Sequence, residues 1–565
     1  MNSLFIIVVS AILYIIAYNT YGRFLSKKIF KIDSSKVCPS IIKNDNIDYL
    51  PTSSMVLFGH HFTSIAGTGP IVGPAIAIIW GWVPALIWIL VGSIFMGAVH
   101  DFGSLMISLR NEGRSIGDIA GDILGKRVKI LFLIIIFLAL LIVISIFGVV
   151  ISQVFTIFPT SVIPVWIQIP IAIWLGYQVY KKNKSPLIFG LIAVILMYLS
   201  IVLGINYPIE FNSKYLSSDA LWVIILLAYA FISSILPVSV LLQPRDYINA
   251  FQLIIAIVLL LFGILLSKPV MVAPALNLNP LDAPPIFPIL FITLACGAIS
   301  GFHCLVSSGT TSKQCASEDN ALSIGYGSML LEGFLAIIVI IACGAGIGLG
   351  IEKNGEVLEG FNAFNHHYYS WNSVNGLGEK ISAFINGSSN LISAIGISNN
   401  YVIALMGLFV AAFAATTLDT STRLQRYILT EISSNYKFHI FKNKYISTSF
   451  AVGTALLLAF SSGGGKGAFA LWPLFGSINQ LLGALALLVI TIWLAKKKIP
   501  IAYTLIPLLF MFFITFWAIS YNIEKSFYES NYLLLLIGAI ILILQLWILI
   551  EGLIVLYKTN LERKY

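Results

Sequence analysis

Histidines, carboxylates and hydroxyls stand inside long apolar runs of this chain, where each is costly to bury and therefore marks a candidate ion or substrate site. The densest group is Gly59-His60-His61-Phe62-Thr63-Ser64-Ile65-Ala66-Gly67-Thr68-Gly69-Pro70-Ile71-Val72-Gly73-Pro74, inside an apolar run from about Pro51 to Trp80. Its histidines can titrate near neutral pH. Its glycines and prolines break a helix, because Pro70 and Pro74 lack an N–H and Gly67 and Gly69 tolerate unusual dihedrals. Non-helical backbone at membrane depth persists only where it is buried in protein or lines a polar cavity. The free N–H groups of a half-helix starting after Gly67 would attract a carboxylate. The competing reading is a Pro-kinked packing helix whose small residues permit close contacts.

Other candidates follow along the chain. His100-Asp101 lies in the next apolar run, and Ser233-Ser234-Ile235-Leu236-Pro237 offers a second possible break. Arg245-Asp246 follows closely, then Ser300, His303, Ser307, Ser308, Thr310 and Thr311, then Glu332, then Asp419 with Arg423. For each, a bland role competes. Asp101, Asp246 and Asp419 can pair with nearby arginines, serines and threonines can bond back to their own helix, and a lone histidine can be a packing residue. Breaks in the second and seventh segments would stand five helices apart, the offset of a five-plus-five inverted repeat.

These residues need a bilayer around them. The chain has 565 residues, 58% hydrophobic and 10% charged, with mean hydropathy +0.94. No soluble domain of this size hides so much apolar surface, so the fold class is an all-α polytopic membrane protein. Hydropathy predicts about fifteen spanning segments, among them 52–80, 219–241, 286–310, 400–430 and 446–461. The first apolar run, Leu4 to Tyr18, lacks a basic start and a clear cleavage site and reads as a retained helix. Alternate threading places 27 of the 33 Lys and Arg residues on one side. The positive-inside rule then puts the N-terminus outside and the C-terminus in the cytoplasm. The net charge of +9 thus reflects topology and not nucleic-acid binding.

Five cysteines show no CxxC pair or metal spacing, so neither a disulfide framework nor a metal site is expected. Adjacent His60 and His61 point about 100° apart on a helix, which disfavours the alternative of a metal-dependent membrane enzyme. Ser461-Ser462-Gly463-Gly464-Gly465-Lys466-Gly467 resembles half a phosphate loop but lacks the remaining motif and a preceding strand. No cofactor is expected. The polar stretch 351–399, with His366-His367-Tyr368-Tyr369, reads as a solvated outer loop carrying a short surface helix near Ile381 to Ile397.

Five blocks in order resemble the carbon starvation protein A family: GHHFTSIAGTGPIVGPAIA (59–77), HDFGSLMISLRNEGRSIGDIA (100–120), QPRDYINA (243–250), ACGAISGFHCLVSSGTTSKQ (295–314) and TTLDTSTRLQRY (416–427). The resemblance implies a LeuT-type secondary transporter of the amino acid–polyamine–organocation superfamily that takes up peptides or pyruvate. Together, residues and resemblance divide the chain into an N-terminal helix and linker (1–51), a ten-helix transporter core (52–430) and about four accessory helices (431–565).

The substrate is expected near His60, His61, Ala66, Gly67, Thr68, Gly69, Ser233, Ser234, Ser300 and His303. A coupling Na⁺ would sit between the Ala66 carbonyl and the hydroxyls of Ser307, Ser308, Thr310 and Thr311. Coupling by H⁺, the preferred reading, would use His303, His60, His61 or Asp419. Pro70, Gly73, Pro74, Asp101, Pro237, Arg245, Asp246 and Arg423 are expected to shape or gate the path. The sequence leaves peptide against pyruvate, and the oligomeric state, open.

Overall fold

The computed structural model describes residues 2–211, 214–353, 356–374, 376–435, 439–461 and 467–561. Almost all of this is helix, as the hydropathy requires. A backbone in hydrocarbon must satisfy its own polar groups, and a helix does so within one segment. Among the described residues, twelve helices are long and apolar enough to cross a membrane, or thirteen when one bent pair is counted as a span.

In chain order these are α1 (Ser3–Ile29), the bent pair α2 (Ser54–Ile65) and α3 (Gly69–Trp80), α4 (Trp82–Leu109), the short α5 (Ile116–Leu124), α6 (Lys126–Ile157), α7 (Pro159–Lys181), α8 (Pro186–Asn206), α9 (Ser218–Ile235) and α10 (Leu242–Ser267). The short α11 (Ile286–Thr293) and α12 (Gly301–Gly309) follow, then α13 (Glu318–Leu349). The segment after α13 folds as a two-stranded hairpin, β1 (Ile351–Lys353) and β2 (Glu356–Leu358), with α14 (Gly360–Tyr368) and α15 (Leu377–Ser393). Five helices complete the chain: α16 (Asn399–Asn435), α17 (Lys444–Ala459), α18 (Trp472–Lys496), α19 (Ala502–Tyr528) and α20 (Tyr532–Leu561).

The first expected break is present. Helix α2 stops at Ile65, Ala66 leaves helical geometry (φ −76°, ψ 54°), and α3 restarts at Gly69 with Pro70 in its first turn. The two pieces are bent by 44°.

The second break is not where the proline suggested. Helix α9 runs unbroken to Ile235, and Pro237 lies beyond its end in the connection to α10. A residue before proline is driven extended, as Leu236 is (ψ 151°). Its freed end carbonyls are met by the Arg423 guanidinium, which donates to the Ser233 carbonyl at 3.2 Å and to the Leu236 carbonyl. Ser233, Ser234 and Pro237 therefore mark a helix terminus, and the five-helix offset built on them falls.

The other interrupted span is the ninth, between α11 and α12. Cys296 (ψ 136°), Ile299 and Ser300 are extended, and Gly297 takes φ +93°, a left-handed conformation that favours glycine. A side chain there would also press on Ala336, whose Cβ stands 2.8 Å from an added Cβ.

The two interrupted spans lie side by side and run in opposite directions. At one end the strand before α2 pairs with the residues after α12, with Leu50 N–H donating to Lys313 O (3.2 Å) and Thr52 N–H to Gln314 O (3.0 Å). At the other end the Trp80 indole donates to the Pro284 carbonyl at 3.2 Å. The first end shares its side with most of the basic loops and is called the basic face below.

On the opposite face the stretch 351–399 is less solvated than expected. Helix α15 covers the proposed surface helix and packs on α3, α10 and α16. From α14, buried Tyr368 donates to the Ala75 carbonyl at 2.6 Å. Most of the glycine-rich run 461–467 lies outside the described residues.

Candidate functional site

The two breaks meet near the middle of the bundle. Gly69 faces Cys296, and an added Cβ at Gly73 would stand 2.5 Å from the Thr293 carbonyl. At the start of α3 the Ile71 and Val72 N–H groups donate to the Thr68 carbonyl (3.1 and 2.9 Å) and Pro70 has none, so the Gly69 N–H and the positive end of the helix dipole are what the helix presents at this gap. From α18, Asn479 accepts a bond from Phe302 N–H at 2.9 Å and donates to Ser300 Oγ (3.0 Å) and Cys296 Sγ (3.4 Å). Asn479 thus caps α12 and ties the second break to a helix that the sequence reading placed among accessory segments. A cavity of about 130 Å³ reaches from Gly69 and Cys296 toward Trp371, Lys380, Trp472 and Lys525 at the face opposite the basic one.

Behind the breaks lies a buried charge cluster. His303 on α12 stands between two carboxylates, Nδ1 at 3.1 Å from Asp101 Oδ2 and Nε2 at 3.3 Å from Glu332 Oε2. His100 Nδ1 approaches the other oxygen of Asp101 at 2.7 Å. Asp101 therefore pairs with histidines and not with the rim arginines, which is the role its position in the apolar run favours. His61 contacts Thr311 Oγ1 at 2.8 Å. His60 turns away to Asp246, at 2.5 Å, so the adjacent histidines diverge and do not converge on one ion.

Toward the basic face, Arg245 is the hub of a second network. It pairs with Asp419, stands 3.5 Å from Asp246 Oδ1 and donates to the Tyr229 hydroxyl at 2.6 Å. Here the simple arginine-pairing role of Asp246 and Asp419 is the one observed, though at full burial. Gln243 and Gln314, 2.5 Å apart, bridge this layer to Thr52 and His60.

At the rim, Arg423 donates to Asp48 at 2.8 Å, and Arg426 (3.4 Å) and the Tyr427 hydroxyl (2.5 Å) converge on the same oxygen. Burial alone would raise the Asp48 carboxyl, but Arg423, Arg426 and Lys313 hold it down, to about 2. Its partnership is therefore present above the ordinary carboxylate range and lost as pH falls toward 2. Asp48→Asn is expected to destabilise the protein by on the order of 2 kcal/mol at pH 7. Thermal unfolding in detergent should show that deficit shrinking by pH 3; an equal deficit at both values would contradict the assignment.

Most of the hydroxyls expected to cage Na⁺ are hydrogen-bonded within the protein. Ser308 and Thr310 donate to carbonyls of their own helix, at 2.8 Å from Cys304 O and 3.1 Å from Val306 O. Thr311 is taken by His61, and Ser307 Oγ has no partner among the described residues. The hydroxyls beside the first break come from α16 instead, with Thr417 next to Gly67 and Thr420 Oγ1 3.2 Å from Ser64 Oγ. Asn479 and Lys380 carry no motif, and Cys296, inside the block 295–314, is not singled out as a site residue. Asn479 has a usable signal, the adjacent amides Asn479-Gln480 inside an apolar run.

The family model and the curated relatives agree on one family. The family model described as carbon starvation protein CstA matches residues 2–518. The peptide transporter CstA of Campylobacter jejuni is 35% identical over 91% of this chain and 80% of its own. The pyruvate/proton symporter BtsT of Escherichia coli is 33% identical over 93% and 82%. Among solved structures, MhsT in complex with L-phenylalanine matches with a TM-score of 0.49 at 10% identity, over 89% of this chain and 99% of that one. With a family model matched along most of its length and relatives near one third identical over 80% and 82% of their own length, the chain belongs to the carbon starvation protein CstA family.

Proposed function

We propose that the chain is a proton-coupled secondary transporter that imports a small carboxylate such as pyruvate, or a peptide, across the cytoplasmic membrane. The observation that carries this reading is the pair of antiparallel broken helices whose gaps adjoin, with buried His303 bracketed by Asp101 and Glu332 directly behind them. Half-helix N-termini and unwound backbone are how transporters hold anionic substrates at mid-membrane. A histidine between two carboxylates can pass a proton without an added cofactor.

The core is read as two groups of five: α2–α3, α4, α6, α9, α10, and α11–α12, α13, α16, α17, α18. Each group opens with a broken helix. Their third members, α6 and α16, pack along each other, and each fifth member packs on its own group's broken helix. This gives α7 and α8 as an inserted hairpin and extends the core beyond 430 to α18. The basic face is read as cytoplasmic, with the N-terminus outside.

A Na⁺-coupled reading has one observation in its favour, the Thr417 and Thr420 hydroxyls beside the first break. Proteoliposome uptake separates the two. Under proton coupling, labelled pyruvate or dialanine accumulates with an imposed pH gradient in the absence of Na⁺. His303→Gln should lose that accumulation while equilibrium exchange persists. Uptake that requires Na⁺ at constant pH would overturn the proton reading, and accumulation by His303→Gln that still follows the pH gradient would clear His303.

A further inference from the structure

The cavity above the breaks has an asymmetric chemistry. Its upper wall is aromatic, from Trp371, Trp472, Phe475 and Tyr521, and its charged lining residues are Lys380 and Lys525. Among the described residues, neither Asp nor Glu lines it. Lys380 rises from α15 and is 3% exposed, whereas Lys525, on α19, is about half exposed and lies 3.7 Å from Glu529. The floor, at Gly69 and Cys296, is where the N–H groups of α3 begin.

We propose that this cavity is an anion-selecting vestibule in which Lys380 and Lys525 determine that a small monocarboxylate, in preference to a zwitterionic peptide, reaches the gap between the broken helices. The inference rests on the transport reading above. A monocarboxylate meets cations at the entrance and a positive helix end at the floor, so every step inward is complementary. A peptide carries an ammonium as well, and that group finds no carboxylate among the described residues of the wall. Of the aromatic faces, that of Trp472 is already taken by the Lys380 ammonium, 5.2 Å from its ring centre, and a second cation there would be repelled. Burial draws Lys380 down to about 7, with Glu379 opposing, and an arriving carboxylate would hold it charged.

The test is uptake kinetics in proteoliposomes, with pyruvate and dialanine as probes. Wild type should take up pyruvate with the lower KM. Lys380→Gln should raise the pyruvate KM about tenfold or more, as expected for a lost charge-assisted contact, with the maximal rate within about twofold. Lys380→Arg should recover most of that loss. Lys525→Gln, at an exposed position where misfolding is not a concern, should raise KM by a smaller factor, and Lys525→Glu by more. A wild-type preference for dialanine, or a pyruvate KM unmoved by both Gln substitutions, would overturn the vestibule while leaving transport intact. Uptake of neither probe would remove the transport reading and this inference with it.

Discussion

Gly69→Ala is expected to abolish uptake while leaving a helical, monodisperse protein. The methyl group would be built into the volume held by the Cβ and Sγ of Cys296, where the two breaks adjoin. Cys296 cannot swing away cheaply, because its backbone is already extended and its sulfur is held by Asn479 and Ser300. The breaks must separate, and the start of α3 moves off its place at the cavity floor. A displacement of about 1 Å at a binding centre can reduce activity about a hundredfold; a loss of that size or greater is expected here. The double variant Gly69→Ala/Cys296→Gly returns the space and should recover substantial uptake, which a general folding defect would not allow. Normal transport by the single variant in a well-behaved preparation would show that the contact between the breaks has no role in the transport path.

Arg245→Met is expected to give the largest loss of stability, about 3–5 kcal/mol, because it strands carboxylates in a buried layer. Asp419 loses its direct partner, Asp246 loses the cation 3.5 Å away, and the Tyr229 hydroxyl loses its donor. Arg245→Met/Asp419→Asn removes charge of both signs and should regain more than half of the loss, since residues sharing one network are not additive. Thermal unfolding in detergent measures both. A single variant that melts with wild type would mean that Arg245 and Asp419 are not paired in the resting protein.

The two networks also suggest how the layers divide the work. The Arg245 and Arg423 groups tie α2, α9, α10, α16 and the linker before α2 together at the basic face. The cavity of about 130 Å³ lies on the other side of the breaks. The conformation described is therefore closed by ion pairs on one side and reaches the breaks from the other, the arrangement expected of one state in an alternating-access cycle.

Much of this was legible in the amino-acid order. Long apolar runs dictate helices, since lipid offers no partner to backbone polar groups, and the distribution of lysine and arginine gives them a direction. The Gly67–Pro70 break was legible for a local reason: several residues with restricted or missing helix chemistry crowd into one short stretch. His60, His61, Asp101, His303 and Asp419 were identifiable because a titratable side chain in an apolar run must find a partner.

Which partner it finds was not legible. Ser233–Pro237 carries a proline and reads as an interruption, whereas Gly297–Ser300 carries none and is not read as one. One is a helix end because Arg423, nearly two hundred residues away in the chain, reaches its carbonyls. The other is a true break because Asn479 on α18 caps the restarted helix and Pro70 packs against Gly297. The hydroxyls of Ser308 and Thr310 satisfy themselves on their own helix, leaving the first break to those of α16. Lys380, in a polar stretch with no motif, reaches the cavity only because α15 folds down onto α3. Periodicity and propensity act over a few residues and so determined the helices, their order and the first break. Satisfying buried polar groups depends on neighbours brought together from distant parts of the chain, and only the tertiary structure decided those.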